Sequence, residues 1–200
     1  MRRVVLLPGI NESPNRVRDA GFADAVRERD ACVELQFAAY EFEELADRAV
    51  ATRLAERILT PDPTPAAARP WLAGISLGGY VALQCARLHP SAVAGVCLIA
   101  PYLGGRALLA EIARARGVAS WCPGAPAPDD DDRALWLYLK EGAGGVPLYL
   151  GGGTGDRFAQ GHALLAPLLP RSRLHFVDGG HDWPTWRRIW DAFLESECWR

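Results

Sequence analysis

The hexapeptide Gly74-Ile75-Ser76-Leu77-Gly78-Gly79 closes an apolar run and opens a helical one, which fixes a strand, a sharp turn and a helix in consecutive positions. A serine on such a strained turn needs small residues two places before and after it, because larger side chains would collide across the turn. Gly74 and Gly78 meet that demand, and the spacing is that of a nucleophile elbow. With 20 glycines in 200 residues and few serines, roughly 0.06 chance matches to Gly-x-Ser-x-Gly arise, so the motif needs support from the rest of the chain.

That support begins with alternation. Arg3 to Leu7 reads as a buried first strand ended by Pro8-Gly9, and a helix follows over Asn15 to Arg29. Ala31 to Phe37 is a second strand, and apolar residues at near-helical period predict a helix over Glu41 to Leu59, stopped by the proline-rich segment at 61–65. Pro70 to Ile75 feeds the elbow and Gly79 to Leu88 forms the helix behind it. Further strands are predicted at Ala92–Ile99, Val146–Leu150 and Leu174–Val177, with a last helix over Pro184 to Glu197. Strands alternating with helices predict an α/β fold of one domain, residues 1–200, in which a doubly wound, mostly parallel six-stranded sheet carries helices on both faces.

One long interruption, 101–145, separates the fourth and fifth strands. It holds a helix near Arg106 to Arg116, a proline-rich stretch and the four aspartates Asp129 to Asp132 ahead of a helix at Arg133 to Lys140. Acidic residues there can cap and charge-complement a helix N-terminus, a reading preferred over a metal or cation site. The whole insertion is a candidate short cap over a pocket, since long insertions in compact domains are frequently lids.

Bulk properties narrow the function classes. A net charge of −2 with scattered arginines gives no basic stripe for nucleic acid, and no stretch pairs an apolar face with a basic one for a membrane. The partner expected is a small molecule; oligomeric state is not legible. The apolar run after Arg2 and Arg3 is broken by Pro8-Gly9, well short of the roughly 7 to 15 residues of a signal core, and a cytoplasmic protein is expected. Cys32, Cys85, Cys97, Cys122 and Cys198 are odd in number and widely spaced, which reads as reduced thiols. With four scattered histidines no metal is expected, and no cofactor. The near-exclusive use of arginine, with Lys140 the single lysine, hints at a high-GC bacterial genome.

A serine hydroxyl needs a histidine base held in one tautomer by a carboxylate. After the fifth predicted strand comes a glycine-rich turn, 151–155, ending in Asp156. After the sixth comes Asp178-Gly179-Gly180-His181-Asp182-Trp183. Ser76, Asp156 and His181 thus each follow a strand and project from the carboxyl edge of one sheet, where open α/β sheets place their sites. Asp178 and Asp182 rival Asp156 only by proximity in sequence, because a neighbour of the histidine rarely turns back onto its ring.

With its elbow at 74–79, Gly-Thr-Gly-Asp at 153–156 and Gly-Gly-His-Asp-Trp at 179–183, the chain resembles a small serine hydrolase of the α/β-hydrolase superfamily. The resemblance covers nearly the whole chain. It implies strand order 2-1-3-4-5-6, without the two N-terminal antiparallel strands of larger members, and esterase or thioesterase chemistry through an acyl-enzyme. It also implies an oxyanion hole from the backbone N–H groups of Leu77 and Ile10. Pro8-Gly9 stands where members often carry His-Gly, which leaves those backbone donors unaffected. Alternatives are an acyltransferase using the same triad and a non-catalytic binding protein on the same scaffold.

Other residues have competing readings. Asn11 either forms a turn or offers its amide to the oxyanion and substrate. His162 reads as a surface or supporting group, His89 as a helix-end residue and His175 as structural. The glycine run at 151–155 lacks the ending of a P-loop, which argues against nucleotide binding. Trp183, Trp186 and Trp190 form a helical stripe of core type, with Trp183, next to the histidine loop, the candidate exception. Tyr102, Trp121, Trp136 and Tyr138 either line an acyl pocket or fix the insertion to the sheet.

Overall fold

The computed structural model describes residues 2–10, 12–29, 32–38, 53, 55–57, 59 and 69–196. Six strands, β1 (Arg2–Leu7), β2 (Val33–Phe37), β3 (Trp71–Ile75), β4 (Gly95–Ile99), β5 (Leu148–Gly153) and β6 (Leu174–Val177), form one sheet in the order β2-β1-β3-β4-β5-β6, and every pairing is parallel. The helices are α1 (Pro14–Asp19), α2 (Phe22–Glu28), α3 (Leu77–Leu88), α4 (Arg106–Arg114), α5 (Asp131–Lys140), α6 (Ala159–Leu165) and α7 (Trp183–Glu195). None of the helices among the described residues is long and apolar enough to cross a membrane.

The inner strands read as apolar runs because both faces of the sheet are covered there, whereas β2 alternates at one edge and β6 is only partly buried at the other. Successive side chains alternate sides, so Val4 and Leu6 of β1 enter one core with Phe22, Trp71, Trp186, Trp190 and Phe193, while Val5 and Leu7 enter the other with α3 and the insertion. The first core is rich in aromatic rings and is closed by α1, α2 and α7. The second is mostly aliphatic.

The expected helix over 15–29 is two helices. Gly21 adopts φ 84° between them, and its N–H and that of Ala20 close the end of α1 on Arg18 and Arg16 carbonyls. Of the helix expected over 41–59, only 53, 55–57 and 59 are described, with 53 and 55–57 helical. The 61–65 segment lies outside the described residues. β5 runs further than expected: the glycine run is strand through Gly153, not turn. The reason is close packing, since a Cβ on Gly151 would overlap Ile189 of α7 and one on Gly153 would overlap the Gly179 carbonyl.

The 101–145 insertion carries α4 and α5 and sinks Leu108, Leu109, Ile112, Trp121, Leu135, Trp136 and Leu139 into the aliphatic core. Trp121 and Trp136 are buried in that core, which roots the insertion in the body, while within the insertion Trp136 Nε1–H donates to the Leu103 carbonyl at 2.7 Å. Asp130 caps α5 by accepting from Arg133 N–H at 3.0 Å, as expected of the aspartate run. Asp132 reaches back to the start of the insertion and accepts from Gly105 N–H at 2.9 Å. Arg133 forks onto both oxygens of Glu111 at 2.7 and 2.9 Å. With the Trp121 N–H on the same carboxylate, this holds the Glu111 pKa down to about 2.

Candidate active site

Ser76 sits between β3 and α3 with φ 55° and ψ −117°, a conformation that costs a non-glycine residue roughly 1–3 kcal/mol. The flanking sequence makes it possible. A Cβ on Gly74 would lie 2.5 Å from Gly79 Cα, and one on Gly78 would overlap the carbonyls of Leu7 and Pro8 at the end of β1. Ser76 N–H donates to Ile99 O at 2.9 Å, and Ser76 O accepts from Tyr102 N–H at 3.0 Å, so the serine backbone is tied to the exit of β4.

The structure brings the three sequence-predicted residues into one hydrogen-bonded line. His181 Nε2 lies 2.9 Å from Ser76 Oγ and His181 Nδ1 lies 2.8 Å from Asp156 Oδ2. With Asp156 ionised, Nδ1 carries the proton, which leaves the Nε2 lone pair for the serine hydroxyl. The Asp156 side chain is fully buried and that of His181 is only 9% exposed. Burial alone would raise the Asp156 pKa. The hydrogen bonds from His181 and from Phe158 N–H to Oδ1, the latter at 2.8 Å, outweigh it and lower the pKa below its ordinary value. Asp182 instead caps α7 by accepting from Thr185 N–H at 2.9 Å, and Asp178 accepts from the Thr154 hydroxyl at 3.3 Å.

Leu77 opens α3, so its N–H has no acceptor within the helix. The loop after β1 passes the same point: a Cβ on Gly9, next to Ile10, would stand 3.4 Å from Ser76 Cβ. Asn11 lies outside the described residues. Among the described residues, no group of three or more His, Cys, Asp or Glu converges as a metal cage would require.

Aromatic rings frame the histidine. Phe158 and Trp186 meet the His181 ring nearly perpendicularly, at centroid distances of 4.9 and 5.0 Å. From Phe158 the series continues to Tyr102 and Tyr80 at 5.5 and 5.6 Å, and burial, followed by the Asp132 carboxylate, raises both phenol pKa values. Trp183 packs on Trp186 and Phe22. The ring against the histidine is therefore Trp186, one turn further along α7. Its place was readable from the inward period it shares with Ile189, Trp190 and Phe193.

Of the two readings of His162, surface or supporting group, the structure removes the first. His162 is 1% exposed on α6, with Nε2 at 2.9 Å from the Pro101 carbonyl. His89 ends α3 as expected, with its backbone N–H on the Cys85 carbonyl.

The model of the Esterase family matches residues 4–193, from the first strand into the last helix. Among solved structures, the chain is similar to S-formylglutathione hydrolase from Staphylococcus aureus over 98% of this chain and 80% of that one, at 15% identity and a TM-score of 0.62. Est1E from Butyrivibrio proteoclasticus is similar over 97% and 87%, at 16% identity and 0.56. The thioesterase domain from the curacin biosynthetic pathway is similar over 98% and 91%, at 12% identity and 0.57. These likenesses are of fold, and the sheet order and two-sided helix cover are those of the α/β-hydrolase fold. No curated protein sequence matches the chain.

Proposed function

Starting from a chain that belongs to the Esterase family and is thereby an ester hydrolase, we propose that it is a serine hydrolase working through Ser76, His181 and Asp156 on small carboxylic esters or thioesters. The observation that carries this reading is the single imidazole bridging Ser76 Oγ and Asp156 Oδ2 at 2.9 and 2.8 Å. Ser76 Oγ attacks the carbonyl carbon while His181 Nε2 takes the hydroxyl proton, and buried Asp156 stabilises the imidazolium. The carbonyl oxygen becomes an oxyanion, with the N–H groups of Leu77 and Ile10 as its donors. The leaving alcohol or thiol departs with the proton from His181, which forms the acyl-enzyme. Water then gives its proton to His181, attacks the acyl carbon and releases the acid as Ser76 is reprotonated.

Tyr102 and Trp183 are proposed to bound the substrate, and Asn11 to aid in binding it. The 101–145 insertion is proposed as a short cap whose helices stay rooted in the core. The partner is a small soluble acyl compound, in a cytoplasmic setting, with no metal or cofactor in the chemistry.

A panel of p-nitrophenyl esters and acyl thioesters of increasing chain length, assayed on wild type and Ser76→Ala, tests this reading. Turnover of short esters that vanishes in Ser76→Ala supports it, and turnover that survives the substitution refutes it. A fluorophosphonate that labels wild type but not Ser76→Ala supports the nucleophile directly.

A further inference from the structure

The loop leaving β4 is the frame on which the elbow rests. Ile99 O and Tyr102 N–H both bond to Ser76, and a Cβ on Gly79 would sit 2.9 Å from Pro101 Cβ. Between these anchors Ala100 adopts φ 49°, the left-handed region that a non-glycine residue holds only when its surroundings impose it. On one side of Ala100 the constraint is its own N–H on Gly151 O, at 2.8 Å. Pro101 has no N–H, so beyond Ala100 its carbonyl is the group to hold, and His162 Nε2–H donates to it at 2.9 Å.

His162 belongs to α6, the helix that begins just after the acid loop. Asp156 O accepts Ala159 N–H at 3.0 Å and its Oδ1 accepts Phe158 N–H, so α6 and the Asp156 carboxylate are one unit. The imidazole thus ties the helix after the acid loop to the loop leaving β4 on which the elbow rests. Its other nitrogen, Nδ1, is buried with no hydrogen-bond partner, against Gly152, where a Cβ would come within 2.7 Å. An unpaired buried nitrogen carries an uncompensated desolvation cost, so a side chain that served only to fill this space would be better apolar. Burial holds the His162 pKa down and keeps the ring neutral, with its one proton on the nitrogen that faces the carbonyl.

On the reading of the site given above, we propose that His162 is a positioning residue. By clamping the Pro101 carbonyl it sets the separation between Ser76, whose backbone rests on the loop leaving β4, and Asp156, to which His181 is hydrogen-bonded. It touches neither substrate nor reacting atoms, and its effect falls on the transition state.

The test compares wild type with His162→Gln, His162→Asn and His162→Leu in the full chain, with kcat and KM on p-nitrophenyl acetate, the rate of Ser76 labelling by a fluorophosphonate, and thermal midpoints. The Gln amide nitrogen reaches the place of Nε2, whereas that of Asn stops at the place of Nδ1. Since misplacement by about 1 Å costs up to roughly a hundredfold, His162→Asn and His162→Leu are expected to lose about ten- to a hundredfold in kcat with KM within about twofold, and His162→Gln to keep about a third of kcat or more. Equal losses in Gln and Asn, or wild-type kcat in Leu, overturn the proposal. If the Leu variant does not fold, the Gln and Asn pair, compared per folded molecule, decides. Failure of the triad reading shows separately as wild-type protein that the fluorophosphonate does not label. A labelled wild type with variants labelled at the same rate sinks His162 alone.

Discussion

Ser76 and His181 project from the same edge of the sheet, yet the chain holds them by different means. Ser76 is fixed by its backbone: a strained φ of 55°, two main-chain hydrogen bonds to the exit of β4, and glycines at 74 and 78 where any Cβ would meet main chain. His181 is fixed by side chains, namely the carboxylate of Asp156 at 2.8 Å and the rings of Phe158 and Trp186 set perpendicular to its own. Changes around the serine should therefore register in stability and folding, and changes around the histidine chiefly in rate.

The sharpest break of the comparison is at Ser76 itself. Removing the hydroxyl is expected to lower kcat by a factor on the order of 10⁴ to 10⁶, and Ser76→Gly is also expected to raise stability by about 1 kcal/mol or more, because glycine relaxes the strain. Ester turnover and urea unfolding of the same samples check both halves. A Ser76→Gly variant no more stable than Ser76→Ala would show that the backbone here is not strained.

On the histidine side, Asp156→Asn is expected to lower kcat by roughly 10³ to 10⁴, since the amide cannot hold the required tautomer or stabilise the imidazolium. The Asp156 pKa is lowered in the folded chain, so the folded state binds fewer protons than the unfolded one. The stability that the ionised carboxylate contributes is present above the ordinary carboxyl value of 3.8 and is lost as pH falls through the folded value. Any stability gap between wild type and Asp156→Asn should accordingly narrow on acidification below about pH 4. A gap that widens there would contradict the hydrogen-bonded assignment.

Gly78→Ala tests the backbone side without altering a catalytic side chain. Its Cβ would overlap the Leu7 and Pro8 carbonyls, so β1 and α3 must part, and a loss of about 2–3 kcal/mol in unfolding free energy is expected. A neutral result would mean that the elbow has room it does not show.

The same contrast explains what could be read from the residues alone. The elbow was legible because its sterics leave a mark on sequence, small residues at fixed offsets, and the inner strands were legible because burial on both faces makes them apolar runs, the edge strand β2 by its alternation instead. Ser76, Asp156 and His181 were found by their places after β3, β5 and β6. Features set by long-range approach were hidden. Gly151 to Gly153 read as a turn because glycine is depleted in strands, and only the folded chain reveals Ile189, His162 and the Gly179 carbonyl pressing on those positions. His162 could be read only as a surface or supporting group, and the choice between the two stayed open for the same reason: its acceptor, Pro101, lies 61 positions away. The break at Gly21 was concealed by a helical period that continues across it, since α1 buries Val17 and α2 buries Phe22, Ala25 and Val26.

The gentlest probe is Trp186, which belongs to both regimes, as core filler of α7 and as a wall of the histidine. Its ring is 5% exposed and its Nε1 is buried with no hydrogen-bond partner. Phenylalanine keeps the edge-to-face contact with His181 and removes a donor whose desolvation is uncompensated, but leaves a small void. The two effects oppose at about 1 kcal/mol each, so Trp186→Phe is expected to change stability by less than about 1 kcal/mol and kcat by less than about threefold. Trp186→Leu removes the aromatic wall and is expected to cost about tenfold in kcat, because the His181 ring loses the perpendicular ring that holds it at 5.0 Å. If Phe and Leu lower kcat equally, the indole itself matters, and the division between a backbone-held serine and a side-chain-held histidine must then include that N–H.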